Sequence, residues 1–182
     1  MPKTKRRTRE EWVEAAAIAL VEYGIDGIRV ERLARDLGVT KGSFYWHFAD
    51  RRALLQALLD SWAEQGTAAI IQTVEDEGGD AHQRLRRLWE VASNDGEQAF
   101  ELALRDWARR DEVARHAVRQ TDRRRMAYLR TLVGEIVIDP ETVEARCLLL
   151  YSLLIGDWFL DIRHPHKTRK RVLKEALRFL TS

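Results

Sequence analysis

Cysteine is almost missing from this chain: Cys147 is the only one in 182 residues, which rules out a disulfide framework and fits a reducing cytosol. Long apolar runs are equally scarce. The longest, Cys147 to Leu160, is interrupted by Ser152, Gly156 and Asp157 and is shorter than the ~20 residues a membrane span requires. No apolar stretch follows directly on the basic residues between Met1 and Arg9, so no secretory signal peptide is expected. Neither a glycine-rich phosphate loop nor a nucleophile elbow occurs. His164-Pro165-His166 comes nearest to a metal-ligand pair, but no third ligand lies at a spacing that would complete a site. Cys147 leads an apolar helix and is expected to be buried and inert. An enzyme is therefore not expected, and neither is a metal or other cofactor.

Helical periodicity is present throughout, without strands and without a repeat of fixed period. Thr8-Arg9-Glu10-Glu11 has the form of a capping box. It opens a first helix with a buried stripe of Trp12, Ala15, Ala16, Ala19, Leu20 and Tyr23, closed by Gly24. Val30, Leu33, Ala34 and Leu37 make a compact second helix that ends at Gly38, a residue able to take the left-handed conformation that stops a helix. Thr40 is then expected to cap a very short third helix. Asp50 caps the fourth, about 50 to 74, with Leu54, Leu55, Leu58, Leu59, Trp62, Ala69 and Ile70 along it. Glu75 to Asp80 is the clearest loop. Four helices follow at about 81–93, 97–110, 112–137 and 140–162, with Asp111 and Asp139 as caps and Pro140 in a first turn. His164-Pro165-His166 turns the chain into a ninth, carrying Val172, Leu173, Ala176, Leu177 and Leu180.

The second and third helices, joined at Gly38, form a helix-turn-helix, which offers the start of its second helix to the DNA major groove. Thr40 and the backbone of Lys41 to Ser43 can hold a phosphate, Lys41 suits a guanine, Gly42 permits close approach and Ser43 donates or accepts. Charge is distributed accordingly. Through Arg52 there are 11 basic and 8 acidic residues, a net +3, while the remaining 20 basic and 21 acidic residues give −1. Lys3, Lys5, Arg6, Arg7 and Arg9 make an arm suited to phosphates or a minor groove, or else a solvated terminus.

From Thr8 to about residue 60 the chain closely resembles the DNA-binding domain of the tetracycline-repressor (TetR) family. The resemblance lies in Gly24, Ala34, Gly38-Val39, Tyr45-Trp46-His47-Phe48, and the basic residue after Asp50. It implies that Tyr45 and His47 contact phosphate through their polar tips, that Arg51 stands at the position of the usual helix-four lysine, and that Phe44 and Phe48 are core. Two residues depart from the family pattern. Arg29 sits where Ser or Thr commonly caps helix two, and Glu31 brings a negative charge near the groove.

The expected architecture is all-α, about nine helices: a helix-turn-helix domain over 1–52 and a ligand-binding and dimerisation bundle over 53–182, linked by helix four. Aromatics between bundle helices suit an apolar or aromatic effector. Trp62, Phe100, Trp107, Tyr128, Tyr151 and Trp158 are the ligand-binding candidates, dense core packing being the other reading. Helix eight is apolar almost all round from Leu148 to Leu160 and, with helix nine, suits a homodimer; a central helix of its own bundle is the alternative. The function expected is a cytoplasmic transcriptional regulator, a repressor, binding a palindromic operator in double-stranded DNA as a dimer and released by a small-molecule effector. An activator or an effector-independent DNA-binding protein is the alternative; a helical metal-binding or enzymatic protein lies outside that class.

Overall fold

The computed structural model describes residues 7–93, 98–160, 162, 164 and 167–181. Its α-helices are α1 (Arg9–Tyr23), α2 (Val30–Asp36), α3 (Lys41–Phe44), α4 (Arg51–Ala63), α5 (Ala69–Glu77), α6 (Ala81–Ala92), α7 (Gln98–Ala108), α8 (Glu112–Gly134), α9 (Pro140–Phe159) and α10 (Arg169–Thr181). Among the described residues there is no strand. A π-helical turn, Glu64–Ala68, joins α4 to α5, so the expected fourth helix is one helical stretch from Arg51 to Glu77.

Two compact units emerge. One takes Met1–Gly66 and Gly96–Arg119, the other Thr67–Asp95 and Gln120–Ser182. These divisions by packing fall elsewhere than residue 52, because α4, α7 and the start of α8 share a core with the N-terminal helices.

In the first unit the local signals act as their chemistry requires. Thr8 and Glu11 form the reciprocal capping box on α1, with Glu11 N donating to Thr8 Oγ1 at 3.2 Å and Thr8 N to Glu11 Oε2 at 2.7 Å. Trp12, Val13, Ala16, Ala19 and Leu20 are the buried face. Tyr23, expected in that stripe, is 54% exposed, its ring covered by the Arg32 guanidinium at 4.0 Å. Gly38 has φ +68, and the turn closes as a Schellman motif, with Val39 N bonding Ala34 O at 2.9 Å and Gly38 N bonding Arg35 O at 3.0 Å. Thr40 occupies the N-cap of α3 in extended conformation, but its hydroxyl makes no capping bond, so the capping expected of it is positional only. Asp50 does cap α4, accepting from Ala53 N at 2.8 Å. Phe44 is fully buried, edge-on to Trp12 at 5.3 Å and stacked on Phe48 at 5.4 Å.

The second unit is built on Leu85, Leu129, Leu132, Val133, Cys147, Leu150 and Leu177. Asp80 and Gln83 cap α6 reciprocally, and Asp139 caps α9 through Thr142 N at 2.9 Å. Val74 is the buried residue of α5, whereas Ala69 is exposed. The π turn explains this: an i→i+5 turn inserts one residue, so periodicity counted through it from α4 falls out of phase. Cys147 is buried and its thiol pKa is raised, chiefly by desolvation, which keeps it from the reactive thiolate form. Pro165 and His166 lie outside the described residues. Among the described residues no group of three or more His, Cys, Asp or Glu is arranged to hold a metal, and no helix is long and apolar enough to cross a membrane.

Candidate nucleic-acid interface and the adjoining cleft

A four-residue helix forms few bonds of its own, so α3 takes its orientation from the core beneath it. Phe44 and Phe48 face inward, which leaves Lys41, Gly42, Tyr45 and Trp46 exposed and Ser43 half-exposed along one outer surface. Tyr45 is 55% and Trp46 74% exposed, unusual for aromatic rings beside a well-packed core. The Lys41 ammonium lies 2.5 Å from the Glu31 carboxylate on α2. That contact lowers the pKa of Glu31, mainly through the hydrogen bond from Lys41, and raises that of Lys41 for the reciprocal reason.

His47 is placed differently from a solvent-facing phosphate ligand. It is half-buried, and its Nε2 is enclosed with no partner among the described residues. Arg51 is also committed in part: Nε donates to Ile28 O at 2.6 Å and an Nη2 hydrogen to Ile25 O at 2.7 Å, tying the start of α4 to the turn before α2. Two of its five N–H donors are thereby used, leaving the others for an anion. Arg7 belongs to the frame as well, donating to Leu37 O at 2.9 Å and to Glu11 at 2.7 Å, while Lys3, Lys5 and Arg6 lie outside the described residues. Neither tether was visible in the sequence, since both run to backbone carbonyls distant along the chain.

In the same unit a cleft of about 650 Å³ opens between α1, α4 and α7. Trp62 and Phe100 stand in its wall with Val13, Ala17 and Leu58, and Glu10, Glu14, Asp60, Glu64 and Glu101 surround them. Glu101 is buried, 4% exposed. It accepts from Trp62 Nε1 at 3.0 Å on one oxygen and from Arg105 Nη2 at 2.8 Å on the other, an arrangement that stabilises a carboxylate out of water. Sequence periodicity gave no sign of this linkage between α4 and α7; the i, i+4 spacing of Glu101 and Arg105 was the only available signal. Trp107 is packed in the core and is absent from the cleft lining. Tyr128, Tyr151 and Trp158 belong to the second unit. There Tyr128 donates to Glu75 at 2.5 Å, its phenol pKa raised by burial and by that bond, and Tyr151 donates to Asp122 at 2.6 Å.

A Schellman-closed helix pair with an exposed, hydrogen-bonding second helix, followed by further helices, defines a helix-turn-helix protein with a helical companion domain. Residues 13–58 match the model of the family described as bacterial regulatory proteins, tetR family. That match lies within the first unit. Over 65 residues it is 40% identical to the class A tetracycline repressor protein of Escherichia coli, covering 35% of this chain and 30% of that protein. Over 59 residues it is 41% identical to the transcriptional regulator TtgR of Pseudomonas putida, covering 32% and 28%. The chain thus spans less than a third of the length of these curated relatives.

The fold extends further than the sequence similarity. A transcriptional regulator from Rhodococcus sp. Rha1 superposes with a TM-score of 0.74 at 21% identity over 96% of this chain and 94% of that one. A regulator from Saccharomonospora viridis solved with choline gives 0.77 at 15% over 94% and 93%. The multidrug binding protein EbrR, complexed with malachite green, gives 0.67 at 21% over 97% and 99%.

The Glu101 linkage yields a stability prediction. Replacing Glu101 by Ala removes the charged acceptor that Trp62 Nε1 and Arg105 Nη2 share, at a cost of about 1.5–3 kcal/mol. Urea denaturation of Glu101→Ala should show a loss of that size; a loss below ~1 kcal/mol, the scale of a surface pair, would mean the linkage adds little.

Proposed function

We propose that this protein is a transcriptional regulator that works in the cytoplasm as a repressor, binds a palindromic operator as a homodimer, and leaves it when a small-molecule effector binds. The exposed face of α3, held outward by Phe44, is the observation that carries the DNA-binding reading. Lys41 reads a base, Gly42 permits close approach, and Thr40, Ser43, Tyr45, His47 and Arg51 supply phosphate and polar contacts, His47 on condition that its ring turns outward. In a two-fold dimer the two reading helices would meet successive major grooves, about 34–36 Å apart. Fragment binding in gel-shift titrations tests the reading. Lys41→Ala should cost ~1–3 kcal/mol on the selected site and little on random duplex. Equal losses on both would make Lys41 a phosphate contact.

The cleft of the first unit supports the effector reading. Trp62 and Phe100 offer apolar and aromatic surface, and the surrounding carboxylates favour compounds that also carry positive charge. Choline and malachite green, bound by two structural neighbours, are of that chemical kind. Tyr128, Tyr151 and Trp158 remain candidates within the second unit. An effector acts only through its differential affinity for the DNA-competent and DNA-incompetent states, and that coupling is reciprocal. Titration with aromatic cations should therefore quench tryptophan emission and weaken operator binding over the same concentration range. Saturated quenching with operator affinity unchanged would uncouple this cleft from DNA.

The dimer surface we assign to α9 and α10. Leu148, Leu149, Phe159, Leu160 and Phe179 are each more than half exposed, a larger set of apolar side chains than a monomer of this size usually leaves in water. Leu177, by contrast, is buried in the core of its own unit. Leu149→Glu should shift the protein toward monomer in sedimentation experiments and weaken operator binding, without loss of helicity. An unmodified protein that sediments as a monomer at micromolar concentration would remove the dimer.

A further inference from the structure

Lys41 opens the reading helix, but its charge does not stand alone. Glu31, in the first turn of α2, brings its Oε1 within 2.5 Å of the Lys41 Nζ across ten residues of sequence. Both side chains are well exposed, 51% for Lys41 and 67% for Glu31, so nothing in the packing forces them together. Besides Lys41, the Glu31 carboxylate is bonded by its own backbone N–H and feels the charge of Arg29. The pair sits on the surface we assign to DNA, where a carboxylate opposes phosphate binding.

An ammonium carries three donors. With one given to Glu31, two remain, which matches the O6 and N7 acceptors that guanine shows in the major groove. Those acceptors are uncharged, and reaching them does not require Glu31 to leave. A phosphate is different: it is attracted by net charge, and the neighbouring carboxylate both cancels that charge and repels the anion. The second oxygen of Glu31 is an acceptor as well, of the kind that takes a hydrogen bond from the N4 amino group of cytosine.

We propose that Glu31 is a specificity-determining residue, which keeps Lys41 as a reader of G·C pairs and withholds it from the phosphate backbone of unspecific DNA. This rests on the DNA-binding reading above. The departure of this position from the family pattern then has a physical use: a reading helix with a fully free lysine would bind any duplex more tightly and discriminate less.

Salt titrations of the full chain test it, using a duplex selected from a random pool by the unmodified protein and a duplex of scrambled sequence. Glu31→Gln keeps the shape and removes the charge. It should bind scrambled duplex roughly two- to five-fold more tightly, the factor that corresponds to an exposed ion pair. Its log K against log [salt] slope should steepen by about 0.9, one additional phosphate. The ratio of selected to scrambled affinity should fall. In a Lys41→Ala background the same Glu31→Gln change should alter neither slope nor ratio. Two results overturn the proposal: scrambled-duplex affinity and slope unchanged in Glu31→Gln, or an equal gain when Lys41 is already Ala, which would reduce Glu31 to a general contribution to surface charge. Unmodified protein that binds no duplex with any salt dependence would instead defeat the DNA-binding reading itself, and this inference with it.

Discussion

The burial of Phe44 is the constraint on which the reading head depends. Helices shorter than about 12–15 residues have marginal stability in water, and α3 has four. Its direction is therefore imposed from below, by a ring that is fully buried, edge-on to Trp12 of α1 and stacked on Phe48. With Phe44 facing in, the adjoining Gly42 and Tyr45 lie on the outer side of the turn, and Lys41 is exposed at its start. The exposure of Tyr45 and Trp46 follows from the same geometry, since the core beneath already holds two phenylalanines. The proposed DNA reading needs side chains placed reproducibly, and the placement of α3 comes from an aromatic cluster within one unit and not from the helix itself.

The features legible in the sequence were those whose cause is local. Capping needs only a side chain and a nearby N–H, so Thr8 with Glu11, Asp50, Asp111 and Asp139 were readable and are seen at the helix starts. Gly38 was readable because only a left-handed residue closes a Schellman turn at low cost. Features that depend on partners distant in sequence were not. Nothing in periodicity distinguishes an exposed Tyr23 under an arginine from a buried one, or shows that Arg51 would bond carbonyls at Ile25 and Ile28. The π turn hid the phase of α5, because one inserted residue leaves composition unchanged while moving the buried side. For the cleft, two of six proposed aromatics, Trp62 and Phe100, stand together in one wall. Aromatic spacing cannot separate a cavity wall from a core, and Trp107 shows this by belonging to the core.

Glu101 gives the cleft a physical tie to α4. A carboxylate this deeply buried is tolerable only while its oxygens are bonded, and two of its donors come from different helices, Trp62 on α4 and Arg105 on α7. A ligand that donates to the oxygen now bonded by Trp62 would compete with the indole N–H for that acceptor, so occupancy of the cleft and the setting of Trp62 are linked through a single group. The π turn begins two residues beyond Trp62. Such turns relax the i→i−4 ladder and tolerate local adjustment better than regular α-helix. The π turn thus follows closely on a residue of the cleft wall.

In the proposed reading, the cations of the N-terminal region would hold affinity for DNA below what net charge suggests. Arg7 and Arg51 are tied to backbone carbonyls, Arg29 donates to Asp26 O at 3.0 Å, Arg32 lies over Tyr23, and Arg9 lies 5.1 Å from the centre of the Phe48 ring. A tethered guanidinium keeps its charge, so it still contributes to the long-range field that attracts a polyanion. It also loses less side-chain freedom when a phosphate arrives, because part of its ordering has already occurred on folding. Long, freely rotating lysines would give the opposite balance: strong screening of any phosphate and little dependence on register. By anchoring Arg7, Arg29 and Arg51 to main-chain atoms and pairing Lys41 with a carboxylate, the domain fixes where part of its positive charge lies. Electrostatic attraction then favours one docking geometry over many, and that geometry is a precondition for any contact to a base edge.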